Sequence, residues 1–245
     1  MRLRRIYCPI DLKHSQSIDL PLSAHHHITK VLRLKPENEL LLFNGDGYNY
    51  HAKLTKVVKN YSQVKILKTI KNDVESPLKI HLVQGIARGE KMDFIIQKAV
   101  EIGVNEITPI FCQFGNVKIP DERRAKRIAH WQNVANSATE QSGRSILTKI
   151  NPPNDFFTAI HAISQEKNYE SQIILTPNAI NKLNTLPQLQ SILICIGPEG
   201  GFSDDELNYA EEKSFQKIQL GPRVLRTETA GIVVITYCQT HYGDI

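Results

Sequence analysis

From Leu78 onward, short runs of β-branched and aliphatic residues alternate with longer amphipathic or charged stretches. "LKIHLVQGI", "EITPIF", "SQIILTP", "SILICIG" and "QKIQLG" have strand length. Several of them show little polar alternation, as strands covered on both faces do. Between the first two lies "GEKMDFIIQKAVEIG". There Met92, Ile95, Ile96, Ala99 and Ile102 fall on one helical face, and Gly103 stops the helix. "PDERRAKRIAHWQNVANSATEQSG" reads as a long charged helix, and a last helix is expected from about Thr227. Strands separated by helices predict an α/β domain on a mostly parallel sheet.

Residues 1–72 have another texture. "RIYCPI", "ELLLFNGDGYNYHAKLTKV" and "SQVKILKTI" are β-rich, and Asn44-Gly45-Asp46-Gly47 is a strong hairpin signal. "AHHHITKVLRL" is expected to form a short helix presenting Lys30 and Arg33. The polar stretch "KNDVESP" marks a boundary, giving domains 1–72 and 73–245. The first holds 13 Lys and Arg against 5 Asp and Glu, within a chain whose formal charge is +5. A basic module beside a nearly neutral one suits a nucleic-acid partner.

Several classes are disfavoured. No apolar run approaches the roughly 18 residues of a membrane span, and Met1-Arg2-Leu3-Arg4-Arg5 is not followed by an apolar signal core. Cys8, Cys112, Cys195 and Cys238 are widely separated with no Cys-x-x-Cys pair, which fits a reducing cytoplasm and argues against zinc or a disulfide framework. Consecutive side chains diverge, so His25-His26-His27 is not expected to bind metal. Cys195 lies within an apolar strand and reads as core, and Trp131 as packing.

The chemistry concentrates in "ILICIGPEGGFSDDE", residues 192–206. A strand runs into a glycine-rich turn, and Ser203 with Glu206 forms a capping box for a helix beginning near Asp204. The carboxyl edge of an open α/β sheet is where such folds bind ligands. No Lys-Ser or Lys-Thr follows, so the turn is not a P-loop. The acidic residues just downstream would repel a polyphosphate. A ligand with an adenosine and a positive centre but no phosphate suits the turn better, and S-adenosylmethionine is one. In "LGPRVLRTETAG", residues 220–231, Arg223, Arg226 and Glu228 crowd the entry to the last helix, which Thr227 or Thr229 is expected to cap.

"IGPEGGFSDDE" followed by "LGPRVLRTETA", with "VLRL", "FNGDG", "RGEKMDFIIQKAVEIGVNEITPI" and "ATEQSGR" ahead of them in order, resembles the RsmE family along the whole chain. Those are bacterial 16S ribosomal RNA uridine-N3 methyltransferases of the SPOUT superfamily. The resemblance implies a PUA-like β-barrel over 1–72 and an α/β SPOUT domain tied in a deep trefoil knot. It implies S-adenosylmethionine held by the backbone of three loops. These are Leu175-Thr176-Pro177, Ile196-Gly197-Pro198-Glu199-Gly200, and Leu220-Gly221 through Leu225, Arg226, Thr227 and Glu228. It also implies a homodimer acting on 16S ribosomal RNA in the assembled small subunit.

Within that resemblance Arg226 is the first choice for stabilising a uridine anion. Glu228 or Glu199 is either a base or an orienting group. Lys91, Lys98, Gln141, Arg144 and Arg223 are candidate RNA contacts beside Lys30 and Arg33. Two departures stand out: Gly231-Ile232 replaces the family's frequent Pro-Leu, and "CQFGNVKI" lacks its frequent Arg-Ser. A knotted methyltransferase acting on tRNA or on ribose 2′-hydroxyls stays open as an alternative, as does a non-catalytic RNA-binding protein.

Overall fold

The computed structural model describes residues 3–13, 17–166 and 168–245, so the Met1-Arg2 start of the tested leader lies outside the described residues. In chain order the strands are β1 (Arg4–Tyr7), β2 (Ser17–Asp19), β3 (Glu39–Phe43), β4 (Tyr48–Val57), β5 (Ser62–Lys71), β6 (Lys79–Gly85) and β7 (Glu106–Phe111). They continue with β8 (Lys149–Ile150), β9 (Asn154–Asp155), β10 (Ser171–Leu175), β11 (Asn181–Lys182), β12 (Ser191–Ile196) and β13 (Gln216–Gln219). The helices are α1 (Leu22–His26), α2 (Glu90–Glu101), α3 (Asp121–Ser142), α4 (Phe156–Glu166), α5 (Asp204–Glu212) and α6 (Thr227–Tyr242).

The fold divides into two compact units: residues up to Glu75 together with Asn136–Leu147, and Ser76–Ala135 together with Thr148–Ile245. Among the described residues the first unit carries a five-stranded sheet in the order β1-β3-β4-β5-β2. The Asn44–Gly47 turn joins β3 to β4 in antiparallel register, with Leu42 opposite Tyr50. Ile6, Leu40, Leu42, Tyr50, Leu54 and Val64 bury one face against Ile28. The helix expected over 24–34 is only partly α-helical. After α1 the chain widens into a π-helical turn over His27–Val31, where Leu32 N–H reaches His27 C=O at 3.0 Å. Arg33, at φ +51°, ends it in a left-handed conformation that is costly for a side-chain-bearing residue. His25 is buried and spends its ring nitrogens on Ser62 Oγ (2.8 Å) and the Lys59 carbonyl (3.2 Å).

The sequence did not announce that the end of α3 belongs to this unit. Arg5 donates to the carbonyls of Gly143 and Arg144 at 2.6 Å each, Asn72 Nδ2 donates to Gly143 at 2.8 Å, and Glu140 accepts from Tyr7 N–H at 3.0 Å. Arg144, expected to touch RNA, is 4% exposed and forks onto Glu75, Nη2 to Oε2 at 2.7 Å and Nε to Oε2 at 3.1 Å. That corrects the expectation: the guanidinium is consumed by a largely buried carboxylate. Replacing Glu75 by Gln removes the charge and one acceptor oxygen, and should lower unfolding free energy by about 2 kcal/mol. Chemical denaturation of the purified chain measures it.

In the second unit the strands form a parallel sheet in the order β11-β13-β10-β12-β6-β7-β8, with β9 also pairing β7. β6 and β12 lie at its centre and are buried along nearly their whole length, which explains the apolar sequence of β12 and the burial of His81 and Gln84 within β6. Val83, Ile110, Phe156, Ile160, Ile174 and Leu193 form the core on one face, with Cys195 buried among them. Burial pushes the Cys195 thiol well above its ordinary range, as a core residue requires. Trp131 is 2% exposed and packs rather than stacks. No helix among the described residues is long and apolar enough to cross a membrane.

Because the strands are parallel, the ends of β6 (Gly85), β10 (Leu175), β12 (Ile196) and β13 (Gln219) open on one edge. Their register holds Ile196 beside Gln84 and Leu175 beside Ile218.

Candidate active site

At that edge the loops after β10, β12 and β13 line a cavity of about 600 Å³, within the ~300–1,000 Å³ usual for small-molecule sites. Leu175, Thr176 and Pro177 contribute from the first loop, and Ile196 through Gly200 from the second. Leu220, Gly221, Leu225, Arg226 and Thr227 contribute from the third. Thirteen of the positions expected around a cofactor are therefore brought together, and Glu228 is not among them.

The glycine turn is shaped by close approach. Gly201 takes φ +74°, and its N–H bonds the Pro198 carbonyl at 3.0 Å. Gly85, at the end of β6, lies so near the turn that an added Cβ would meet Pro198 N at 2.4 Å and Gly197 C at 2.8 Å. The helix behind the turn is anchored as expected. Ser203 Oγ accepts from Glu206 N–H at 3.2 Å, and Glu206 Oε2 accepts from Ser203 N–H at 2.8 Å. Glu206 also accepts from Gln113 N–H at 2.8 Å, fastening the loop after β7.

Glu199 does not orient an arginine. Its Oε1 accepts from Arg88 N–H at 3.2 Å and lies 3.3 Å from Lys91 Nζ. Desolvation is the largest influence and would raise its pKa, but backbone N–H donors and Lys91 together hold the carboxyl below its ordinary value. A carboxylate so held is a poor proton acceptor. Lys91 lines the cavity and is engaged by this pair.

The third loop departs from expectation in one respect. Neither threonine caps α6: Arg226 occupies the cap position without a side-chain bond, and Thr227 Oγ1 donates instead to the Gly197 carbonyl at 2.7 Å. Arg223 and Arg226 are exposed, and neither guanidinium has an ion-pair or hydrogen-bond partner among the described residues. Gly231 does not weaken the helix. It is buried, and a Cβ there would meet Ile196 Cδ1 at 3.6 Å, an ordinary contact, so an alanine would fit against β12 at this position.

Glu228 lies outside the cavity, in a neighbouring hollow with Glu90, Lys91, Phe94, Thr229, Ile232 and Val233. Successive helix positions rotate by about 100°, so Arg226 at the cap and Glu228 two positions on cannot both face the cavity. Its Oε2 is buried with no hydrogen-bond partner. Lys98, expected to meet RNA, is paired with Glu101 at 2.8 Å. Lys30, Arg33 and Gln141 are exposed.

Sequence reasoning missed Gln84. It is fully buried, and Nε2 donates to Thr227 Oγ1 at 2.9 Å and to the Gly85 carbonyl at 2.9 Å. A lone amide inside the apolar run "IHLVQGI" was the signal available.

Comparison with known proteins agrees with this geometry. A family profile described as an RNA methyltransferase domain matches residues 74–239, and one described as an RNA methyltransferase PUA domain matches 25–67. The ribosomal RNA small subunit methyltransferase E of Buchnera aphidicola from Acyrthosiphon pisum is 39% identical over 99% of this chain and 95% of its own. A Neisseria gonorrhoeae protein of the same name, solved bound to S-adenosylmethionine, is 37% identical with a TM-score of 0.90 and full coverage of both chains. A Legionella pneumophila protein solved in complex with the same cofactor is 36% identical with a TM-score of 0.94, again over both full chains.

Proposed function

Because the chain belongs to the RNA methyltransferase family, among the ribosomal RNA small subunit methyltransferase E proteins, we propose that it methylates N3 of a uridine in 16S ribosomal RNA. It is an enzyme that uses S-adenosylmethionine to methylate ribosomal RNA. The observation that carries the finer reading is the cavity itself. Three loops meet at the carboxyl edge of a parallel sheet around the cavity, with two arginines on the third loop that have no ion-pair or hydrogen-bond partner among the described residues. The donor set fits an adenosine-bearing sulfonium. Leu175, Ile196, Ile218 and Leu225 are suited to a flat base, while Glu199 and Asp204 would oppose a polyphosphate.

Bound there, S-adenosylmethionine supplies a methyl carbon on a sulfonium sulfur, which leaves with the bonding electron pair. The rest falls to the protein. Uridine N3 carries a proton, and its loss leaves negative charge on O2 and O4. Arg226 is always charged and presents parallel N–H donors, so it can stabilise that charge as it develops. Glu199 is occupied and Glu228 faces the neighbouring hollow, so neither expected carboxylate is placed to take the proton within this cavity. Lys30, Arg33, Gln141 and Arg223 are the exposed groups offered as RNA contacts.

The same reading makes the protein a cytoplasmic homodimer acting on the assembled small subunit, its C-terminal domain tied in a deep trefoil knot. The dimer is supported by the face where α2 and α6 pack together. There Phe94 is 42% and Val233 39% exposed beside the unpartnered Glu228 oxygen. The knot is supported by β12 inserting between β10 and β6 while the later β13 flanks β10.

Incubating S-adenosylmethionine and the purified protein with small subunits from a strain lacking it tests the function. Mass-spectrometric mapping should find one new 3-methyluridine in 16S ribosomal RNA. A ribose 2′-O-methyl product, or no incorporation, overturns the reading.

A further inference from the structure

We infer that Gln84 is a positioning residue for this reaction: by holding Thr227 Oγ1 it fixes the start of α6, and with it Arg226, against the glycine turn. The inference rests on the methyl-transfer reading. Gln84 Nε2 spends both protons, one on the Gly85 carbonyl and one on Thr227 Oγ1, each at 2.9 Å. Thr227 Oγ1 has a single proton and donates it to the Gly197 carbonyl at 2.7 Å. The hydroxyl therefore receives the amide on a lone pair, and the direction of the relay is forced: amide to hydroxyl to carbonyl. Three elements are joined by it: the end of β6, which packs behind the glycine turn, the first residue of α6 and the first residue of that turn.

The amide is a poor core filler. Its Oε1 is buried without a hydrogen-bond partner, and an orphaned buried acceptor costs about 1–3 kcal/mol. A methionine of similar length would remove that orphaned acceptor, while withdrawing the amide donor from the Gly85 carbonyl and from Thr227. The penalty makes sense if the donor half is needed on Thr227. Arg226 immediately precedes Thr227, with extended backbone (φ −64°, ψ 152°) and no side-chain partner of its own. Its carbonyl accepts from Ala230 N–H at 2.8 Å, so its backbone moves with the first turn of α6, and the pinning of Thr227 sets where that turn lies.

The test uses Gln84→Met, Thr227→Val, their double variant and Thr227→Ser. Readouts are thermal unfolding, S-adenosylmethionine affinity by calorimetry, and methylation of small subunits at saturating cofactor. Gln84→Met removes one orphaned acceptor and leaves another at the Gly85 carbonyl, so it should melt near the wild-type temperature and bind cofactor within about threefold of wild type, while its methylation rate falls about tenfold. Thr227→Val should fall about as far and the double variant no further, since both cut the same relay; Thr227→Ser should stay near wild type. A wild-type rate for Gln84→Met sinks the inference. So does a rate loss that follows a lowered melting temperature or disappears at saturating cofactor. Wild-type protein that methylates nothing in the same assay would instead sink the methyl-transfer reading, whatever Gln84 does.

Discussion

Arg226→Ala is expected to slow methyl transfer by about 10²–10³-fold, the usual loss when one preorganised stabiliser of developing negative charge is removed. Cofactor affinity should change little. Arg226 contributes to the cavity from the cap position of α6, but its exposed guanidinium has no hydrogen-bond or ion-pair partner among the described residues. Removing it leaves no buried partner stranded, so the fold should not suffer. Arg226→Lys keeps the charge and loses the planar fork, and should recover only part of the rate. Single-turnover methylation at saturating S-adenosylmethionine, paired with calorimetry, separates the two effects. An unchanged rate removes Arg226 from the mechanism.

Gly85→Ala should act in the opposite way, on binding first. The added methyl would lie 2.4 Å from Pro198 N and 2.8 Å from Gly197 C, both backbone atoms. A flexible side chain could swing aside; these cannot, and β6 is held in register by β12 and β7. Overpacking of this kind costs about 3 kcal/mol. If the glycine turn gives way, that strain corresponds to roughly 100-fold in cofactor affinity; if it does not, the melting temperature drops instead. Calorimetry and thermal unfolding on the same sample distinguish these outcomes. Wild-type values for both would mean that the turn is softer than its packing indicates.

How much of this was legible depended on whether the information was local. The strand over Glu106–Phe111, the capping box at Ser203 and Glu206, and the start of α6 at Thr227 follow from period, turn chemistry and cap chemistry within a few residues. The loops that assemble the cavity were named from an ordered resemblance, since nothing in the spacing of 175, 197 and 221 says that they meet. Three features escaped. Arg144 looks like a surface arginine because Glu75, which buries it, is 69 residues away. Glu228 looks equivalent to Arg226 until helix geometry turns it toward Phe94. Thr227 reads as a cap, a role its hydroxyl gave up for the Gly197 carbonyl. Periodicity reports that a face is covered; it does not report by what.

The relay from Gln84 to Thr227 spans 143 residues of chain, and Gln239, near the end of α6, bonds Ser76 Oγ at 2.6 Å and the Ile102 carbonyl at 2.8 Å. Contacts so distant close slowly, because loop entropy must be overcome before they can form. During synthesis the central strands β6, β10 and β12 emerge before the segment after β13 that completes the third wall of the cavity. A chain lacking α6 lacks part of the third wall of the cavity and is expected to transfer no methyl group, whatever its basic N-terminal unit still binds.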